Sequence, residues 1–306
     1  MPEQDPPVDA EQSLPARAPF VAHEAGHVCL SFDFDGPSLW MQRRMIRPTP
    51  MSRGEFGAVA VPRILRLLAR RSIPVTFFIP GHTLETYPDV CRQVVAAGHE
   101  VALHGYAHEY NPTLSLERER WAMGRSFELI ETLAGTPPVG YRAPSGDLTE
   151  QTVSILVEFG IGYDSSLMGH DYQPYWVRQG DRFPDDGPAQ WGERSNIVEL
   201  PFSWTLDDYV HLEFVTFPKM ALPGLQRPQT MFANFGDDIR WMVREVRHGV
   251  CNVVFHPQVI GRGGRLLALE AWLDELIELG VSFSRMDHVA EAFRGGQPFG
   301  LEEPFG

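Results

Sequence analysis

Two aspartates stand two positions apart at the end of an apolar segment, within Ser31-Phe32-Asp33-Phe34-Asp35-Gly36. If this segment is a strand, its period of two residues places Asp33 and Asp35 on the same side. Carboxylates placed in this way can bind a metal ion or act as a general base. Since aspartate before glycine is also common in turns, a pair of solvated acids is the alternative.

Two histidines stand four positions apart after a second apolar segment, in the sequence His104-Gly105-Tyr106-Ala107-His108. A helical turn would bring both imidazoles to one metal ion, with zinc to nitrogen bonds of about 2.0–2.1 Å. Two imidazoles and one carboxylate leave coordination positions for water and substrate, which is typical of a catalytic metal site. Surface histidines are the alternative.

An arginine and a further histidine end two other apolar segments. Arg142 lies in GYRAPSG, just before a turn enforced by Pro144. It could orient a catalytic carboxylate through a bidentate pair, or make a structural ion pair. His256 lies in VVFHP and could act as a general acid near neutral pH. A core histidine bonded to the backbone is the alternative.

One further motif, His23 to His27 (HEAGH), matches the HExxH pattern of zinc proteases. That chemistry needs a helix that carries both histidines on one face. Here the motif follows a proline-rich stretch, contains Gly26 and runs directly into an apolar strand, which leaves no room for such a helix. A zinc protease is therefore not predicted.

The elements that must position these residues alternate along the chain. Short β-branched or aromatic runs alternate with amphipathic stretches, which predicts parallel strands with helical crossovers and, we expect, a (β/α) barrel. The carboxyl ends of parallel strands open into one crevice, where residues that end a strand would meet. The predicted strands are 28–34, 75–79, 100–104, 139–142, 161–164, 252–256 and 281–284. The predicted helices are 59–71, 88–97, 116–133, 149–159, 237–247 and 266–279.

Composition divides the chain into a tail, a domain and an insert. Residues 1–20 are polar, proline-rich and aperiodic, which predicts a disordered tail. Residues 21–306 are predicted to form one domain. Within it, about residues 168–229 break the alternation, and only residues 197–201 resemble a strand. Because this insert is rich in aromatic residues, we expect a loop that faces the substrate rather than disorder.

Charge and cysteine usage exclude several classes of protein. The formal net charge is -14, and no basic cluster is interleaved with aromatics, so nucleic acid is not an expected partner. The 3 cysteines are far apart and predict neither a disulfide framework nor a thiolate metal site. No secretory-signal pattern and no apolar run near the roughly 20 residues of a membrane span occur. We therefore expect a cytoplasmic protein that does not enter a membrane.

In order along the chain, SFDFDG, HGYAH, YRAPSG and FHP resemble the motifs of the NodB-homology polysaccharide deacetylases, carbohydrate esterase family 4. The likeness covers about residues 28–293 and is greatest to the intracellular, peptidoglycan-deacetylase-like branch. The segment 199–204 (ELPFSW) with Asp207 and Asp208, and the segment 256–262 (HPQVIGR), are similar to that branch as well. The resemblance implies a distorted (β/α) barrel of about seven parallel strands and hydrolysis of a carbon-nitrogen bond.

The resemblance also implies roles for individual residues. The expected reaction is N-deacetylation of an acetamido sugar or a similar small amide by metal-activated water. The implied cofactor is a divalent metal, zinc first, although histidine and carboxylate also accept cobalt, nickel or iron. The family's usual adjacent acids are separated here by Phe34. The implied roles are general base for Asp33, metal ligands for Asp35, His104 and His108, orientation of the base for Arg142, and candidate acid for His256.

Other functions stay open on the sequence alone. Some relatives with this fold open cyclic imides or ureides, in some cases without metal, so a cyclic imide or ureide hydrolase is one alternative. Two histidines and one carboxylate also form the facial triad of non-haem iron oxygenases. A catalytically inactive module that holds a ligand with the aromatic loop 172–204 is a third. The aromatic loops would also suit subunit contacts in a homo-oligomer.

Overall fold

Parallel strands joined by helical crossovers form the central sheet. The computed structural model describes residues 23–217 and 220–302, so the tail predicted over residues 1–20 lies outside the described residues. The strands are β1 (His27–Asp33), β2 (Thr76–Ile79), β3 (Glu100–Leu103), β4 (Gly140–Tyr141), β5 (Tyr163–Asp164), β6 (Tyr175–Gln179), β7 (Glu193–Glu199), β8 (Phe214–Phe217), β9 (Met220–Pro223), β10 (Val246–Arg247), β11 (Val250–Phe255), β12 (Ser282–Phe283) and β13 (Leu301–Glu302).

The central sheet has the strand order β11-β1-β2-β3-β4-β5-β7-β6. The strands from β11 to β7 run parallel in succession, whereas the edge strand β6 is antiparallel to β7. β12 adds to the start of β1. This succession of seven parallel strands confirms the prediction of a distorted (β/α) barrel.

The barrel is completed by coil rather than by a last strand pair. Within the described residues β6 and β11 do not pair. Instead, the segment that follows β7 crosses the gap to β11, where the Asn252 amide donates to the Pro201 carbonyl at 2.7 Å and Asp207 bridges to Val254. The chain after β7 is therefore held against the carboxyl-terminal half of β11.

Each predicted helix is present, although the helices predicted over 59–71 and 237–247 begin earlier than expected, at Pro48 and Pro228. The helices are α1 (Ser38–Gln42), α2 (Pro48–Ala69), α3 (Gly81–Thr86), α4 (Pro88–Ala96), α5 (Leu116–Ala134), α6 (Glu150–Glu158), α7 (Asp208–Leu212), α8 (Pro228–Glu245), α9 (Pro257–Ile260), α10 (Gly263–Leu279) and α11 (Met286–Arg294). Searched over the described ranges, the helices include none with the length and apolar character of a membrane span.

Close packing explains why α2 begins at Pro48 rather than near residue 59. Glycines weaken helix propensity, so the sequence disfavours a helix there. In the structure, however, a Cβ on Gly54 would lie 2.4 Å from the Gly36 carbonyl oxygen, and one on Gly57 would lie 2.8 Å from the Phe34 ring. The two glycines thus let α2 lie directly against the turn that carries Asp35, and tertiary packing overrides propensity.

The insert over residues 168–229 is more regular than its sequence predicts. It contains the antiparallel pair β6 and β7 and a second hairpin, β8 and β9. The first half of β7, Glu193–Asn196, is polar and largely exposed, so it lacks the apolar alternation by which a strand is identified. Pairing with the end of β5 organises the buried second half of β7.

Aromatic side chains fill the centre of the core. The Phe32 ring on β1 is fully buried between Phe77 of β2 and Phe255 of β11, with ring centroids 5.1 and 5.5 Å away. Buried aromatic rings contribute much of the stability of a core through the apolar area that they remove from water. These rings hold β2 against β1 and β11, the two strands whose ends carry Asp33, Asp35 and His256.

We expect Phe32→Ala to lower the free energy of unfolding by about 3–5 kcal/mol, because it leaves a cavity between three strands. Urea unfolding followed by circular dichroism measures the change. Val59→Ala, at a side chain that is 50% exposed on α2, is the control and should stay within about 0.5 kcal/mol of the wild type. Equal losses in the two variants would contradict this account of the core.

Candidate active site

The structure places the six predicted site residues together at the carboxyl ends of parallel strands. Asp33 ends β1, and Asp35 lies in the turn that follows. His104, Arg142 and His256 directly follow β3, β4 and β11. The cavity has a volume of about 50 Å³, room for a few water-sized groups. It is lined by Asp33, Asp35, Leu39, Arg43, His104, His108, Arg142, Ala143, Ser145, Gly146, Phe202, Trp204, Asp207, Tyr209 and His256.

The two histidines of HGYAH converge through a tight turn rather than through the expected helical turn. Gly105 and His108 both have left-handed backbones, with φ of +66° and +56°. A Cβ on residue 105 would also lie 3.1 Å from the Pro144 ring. The Glu109 carboxylate accepts hydrogen bonds from the backbone N–H groups of Tyr106 and Ala107 at 3.0 and 2.8 Å. The turn is therefore held by a residue that the sequence did not single out.

Asp35, His104 and His108 form one of two sets of potential metal ligands in the described part of the chain, and Asp207, Asp208 and His256 form the other. Asp35 Oδ1 lies 3.4 Å from His104 Nε2 and 3.7 Å from His108 Nε2. One ligand atom from each residue lies within 4.8 Å of the others. Two ligand atoms at about 2.0–2.1 Å from a tetrahedral zinc lie roughly 3.3–3.4 Å apart, so these separations suit a single ion.

Three atoms of these residues are buried without a hydrogen-bond partner, namely Asp35 Oδ1, His104 Nε2 and His108 Nδ1, and the first two face each other. His104 Nδ1 lies 2.9 Å from the Arg142 carbonyl oxygen, to which it can only donate. In a neutral His104 the Nε2 lone pair then points towards the carboxylate of Asp35. Buried polar atoms normally have partners, so a cation fits between them. The residues present are therefore suited to a divalent metal.

The electrostatics of Asp35 and His108 favour the forms that bind metals, whereas those of His104 favour the protonated imidazole. Burial alone would raise the pKa of Asp35, but the neighbouring His108, His104 and His256 hold it well below its usual range. Burial lowers the pKa of His108 to about 4, so its imidazole is neutral at pH 7. The pKa of His104 is raised by Asp33 and Asp35 against the effect of burial. A proton on His104 and a cation would therefore compete for one place.

The Arg142 guanidinium donates hydrogen bonds to Asp33 and to two serines. Its Nη1 donates to Asp33 Oδ1 at 2.7 Å and to Ser31 Oγ at 2.8 Å. Its Nε and Nη2 donate to the carbonyl and hydroxyl oxygens of Ser165 at 2.9 and 3.0 Å. The guanidinium also lies over the Phe78 ring at 4.1 Å. Arg142 therefore makes one hydrogen bond to Asp33 rather than the bidentate pair considered from the sequence. Its Nε and Nη2 bind Ser165 instead.

His256 is held by two carboxylates that sequence reasoning did not place in the site. Its Nδ1 lies 2.8 Å from Asp208 Oδ1 and 3.7 Å from Asp207 Oδ1. Burial would lower the pKa of His256, but Asp207 and Asp208 raise it well above its usual value. The two carboxylates therefore favour the protonated form of the His256 imidazole. The sequence feature that could have indicated these carboxylates is the pair of adjacent acids in SWTLDDY.

Other neighbours are residues that were not among the predicted site residues. The Gln258 amide donates to Asp35 Oδ2 at 3.2 Å, which leaves Oδ1 to face the histidines. Phe202, Trp204 and Tyr209 line the cavity, so the insert over residues 168–229 does contribute to the site. Arg43 reaches the cavity from the end of α1 and donates to the Tyr209 hydroxyl at 2.6 Å.

The HExxH-like segment lies apart from this site. Glu24 and Ala25 form a turn, and His27 begins β1, so the helix that a zinc protease needs is absent from residues 23–27. His27 Nδ1 is instead 2.9 Å from the Ser284 hydroxyl. The rejection of that motif is confirmed.

Comparisons with known proteins agree with this geometry. A family model described as polysaccharide deacetylase matches residues 22–163. The peptidoglycan deacetylase of Helicobacter pylori is 33% identical over 263 residues, which cover 82% of this chain and 89% of that protein. A peptidoglycan deacetylase-like protein of Gibberella zeae is 32% identical over 293 residues, or 87% of this chain and 86% of that protein.

Solved structures extend the agreement to the whole fold. A protein from Mycobacterium smegmatis assigned to the polysaccharide deacetylases is 32% identical with a TM-score of 0.79, covering 96% of this chain and 100% of that chain. An allantoinase is 20% identical with a TM-score of 0.72, covering 96% and 99%, a likeness that concerns the fold alone. The chain belongs to the polysaccharide deacetylase family, carbohydrate esterase family 4, and is an amide hydrolase of that family.

Proposed function

We propose that this enzyme is a metal-dependent N-deacetylase of an acetamido sugar or a similar small amide. The observation that carries the proposal is the buried triangle of Asp35, His104 and His108, with two unpartnered ligand atoms, beside the pair of Asp33 and Arg142. The names of the two curated relatives, both peptidoglycan deacetylases or similar to them, support a saccharide substrate. The cytoplasmic location and the homo-oligomer expected from the sequence stay predictions.

Asp35, His104 and His108 would hold a divalent metal, for which zinc is our first choice. Such an ion lowers the pKa of a coordinated water towards about 7 and polarises an acyl oxygen. Gln258 fixes the orientation of Asp35 through Oδ2, and the Arg142 carbonyl fixes the ring of His104 through Nδ1. Outer contacts of this kind orient ligands and keep the imidazole in the tautomer that binds metal.

Asp33 would act as the general base. Its Oδ1 is held by Arg142, and its Oδ2 lies 3.8 Å from His104 Nε2, on the side of the ligand triangle. A carboxylate in this place can take a proton from a water molecule as the water oxygen forms a bond to the amide carbon. The hydrogen bond from Arg142 fixes the direction of the Asp33 carboxylate.

His256 would act as the general acid on the opposite side. Its Nε2 lies 3.9 Å from Asp35 Oδ2, so it faces the ligand triangle, while Asp208 holds its Nδ1. As the carbon-nitrogen bond breaks, the Nε2 proton would pass to the leaving nitrogen, which departs as an amine with acetate as the other product. Asp208 then lies beside a neutral imidazole that recovers its proton from solvent.

The first prediction concerns metal binding. We expect the wild type to contain about one divalent metal per chain, and Asp35→Ala and His108→Ala to lose it, because each removes one of three ligands. Plasma mass spectrometry on protein purified without a chelating tag measures the content. His82→Ala, outside the cavity, should retain the metal. No metal in the wild type, and none taken up on addition, would favour a metal-free hydrolase of cyclic imides or ureides instead.

The second prediction concerns the base. We expect Asp33→Asn to lower kcat by about 10²–10⁴, the usual contribution of a general base, while the metal content is unchanged. Release of acetate from an acetamido sugar oligomer measures kcat. Asp186→Asn, on an exposed part of the insert, is the matched control and should hydrolyse at the wild-type rate. Wild-type turnover in Asp33→Asn would exclude Asp33 as the base.

The third prediction concerns the acid. Because Asp207 and Asp208 raise the pKa of His256 against the effect of burial, its acid form persists to high pH in the wild type and is lost as pH rises through that raised pKa. Asp208→Asn removes the negative charge, so the alkaline limb of the kcat profile should shift to lower pH by about one unit or more. A limb that does not move, at unchanged metal content, would show that His256 is not the acid.

A further inference from the structure

A pair of buried carboxylic acids lies behind Arg142, outside the cavity. Asp164 ends β5 and Glu199 ends β7, where the two are register partners on adjacent parallel strands. Both side chains are fully buried. No lysine, arginine or histidine makes an ion pair with either of them in the part of the chain that the structure describes. Two neighbouring carboxylates without a cation cannot both be ionised in the interior of a protein.

The hydrogen bonds leave one oxygen of each acid for the other acid. Asp164 Oδ1 accepts from the Ser166 hydroxyl at 2.8 Å. Glu199 Oε1 accepts from the backbone N–H groups of Ser166 and Leu167, both at 2.9 Å. Asp164 Oδ2 and Glu199 Oε2 are both buried without a hydrogen-bond partner, on residues that lie directly opposite each other on adjacent strands. One proton between these oxygens turns a repulsive contact into a hydrogen bond.

Ser165 and Ser166, which follow Asp164 directly, connect the acids to the active site. The Ser165 carbonyl and hydroxyl oxygens accept from Nε and Nη2 of Arg142. The Ser166 hydroxyl, which donates to Asp164, accepts from the backbone N–H of Ala143 at 2.9 Å. Residues 165–166 are therefore held by the acid pair on one side and hold the segment 142–143 on the other.

We propose that Asp164 and Glu199 form a proton-sharing pair that positions the Arg142 guanidinium and, through it, Asp33. Neither acid lines the cavity, so both are positioning residues rather than catalytic ones. The effect on turnover rests on the proposed function, because it requires Asp33 to be the base.

The surroundings make the shared proton sensitive to pH. The charged and titratable groups that face the pair are Arg142 and Tyr141 from β4 and Tyr175 from β6. Burial raises the pKa of both phenols, so they stay neutral. Burial likewise raises the pKa of Asp164 and of Glu199. The folded protein therefore keeps a proton that the unfolded chain releases above about pH 4, and the pair's contribution to stability falls as pH rises towards its raised pKa.

Two substitutions of Glu199 separate positioning from simple stability. In Glu199→Gln the amide oxygen still accepts from Ser166 and Leu167, and the amide nitrogen donates to an ionised Asp164 without any shared proton. We expect kcat to stay within about threefold of the wild type. We also expect the melting temperature of this variant to fall less between about pH 5 and pH 9 than that of the wild type, because this range brackets the loss of the shared proton. Glu199→Met has no acceptor, and we expect kcat to fall by at least about tenfold with KM and metal content unchanged.

A matched control comes from another buried carboxyl group. Glu100 begins β3, at the opposite end of that strand from His104, and burial raises its pKa to about 8. Glu100→Gln should leave kcat at the wild-type value. Wild-type kcat in Glu199→Met, or an unchanged pH dependence of melting in Glu199→Gln, would overturn the proposal. If the wild type hydrolyses no amide, the proposed function fails by itself, and the melting comparison still decides whether the pair shares a proton.

Discussion

The burial of charge at the open end of the barrel is the constraint on which the site depends. Carboxylates and imidazoles that leave water need partners, since an unpaired buried charge costs several kcal/mol. Arg142 provides the partner for Asp33, and Asp208 provides it for His256. The exception is Asp35 Oδ1, which faces His104 without a hydrogen bond. That unsatisfied contact is the place where a cation would lower the energy most.

The local sequence was enough to identify the site residues that lie at the ends of strands. Apolar runs that end in Asp33, His104, Arg142 and His256 can be recognised one at a time, because each is a short strand followed by a polar residue. Parallel topology then requires the ends of such strands to meet. The barrel and the convergence of these side chains were therefore predictable, while the roles of the residues stay predictions that activity measurements must decide.

The partners of these residues were harder to foresee, because they are distant in the sequence. Asp208 lies far from His256 along the chain, and Gln258 lies farther still from Asp35, yet both pairs are in hydrogen-bond contact. A single sequence contains the residue types but not the register that brings them together. The turn over residues 104–108 was predicted as helical because Gly105 and His108 permit left-handed backbones but do not require them.

The insert over residues 168–229 does more than cover the site. Its first half adds β7 beside β5 and so places Glu199 next to Asp164. Its middle crosses to β11 and delivers Asp208 to His256. This one segment thus contributes to the surroundings of the proposed base at one edge of the cavity. At the other edge it contributes to the surroundings of the proposed acid. Substitutions that shift this segment should therefore disturb both ends of the reaction, even though it supplies none of the three proposed metal ligands.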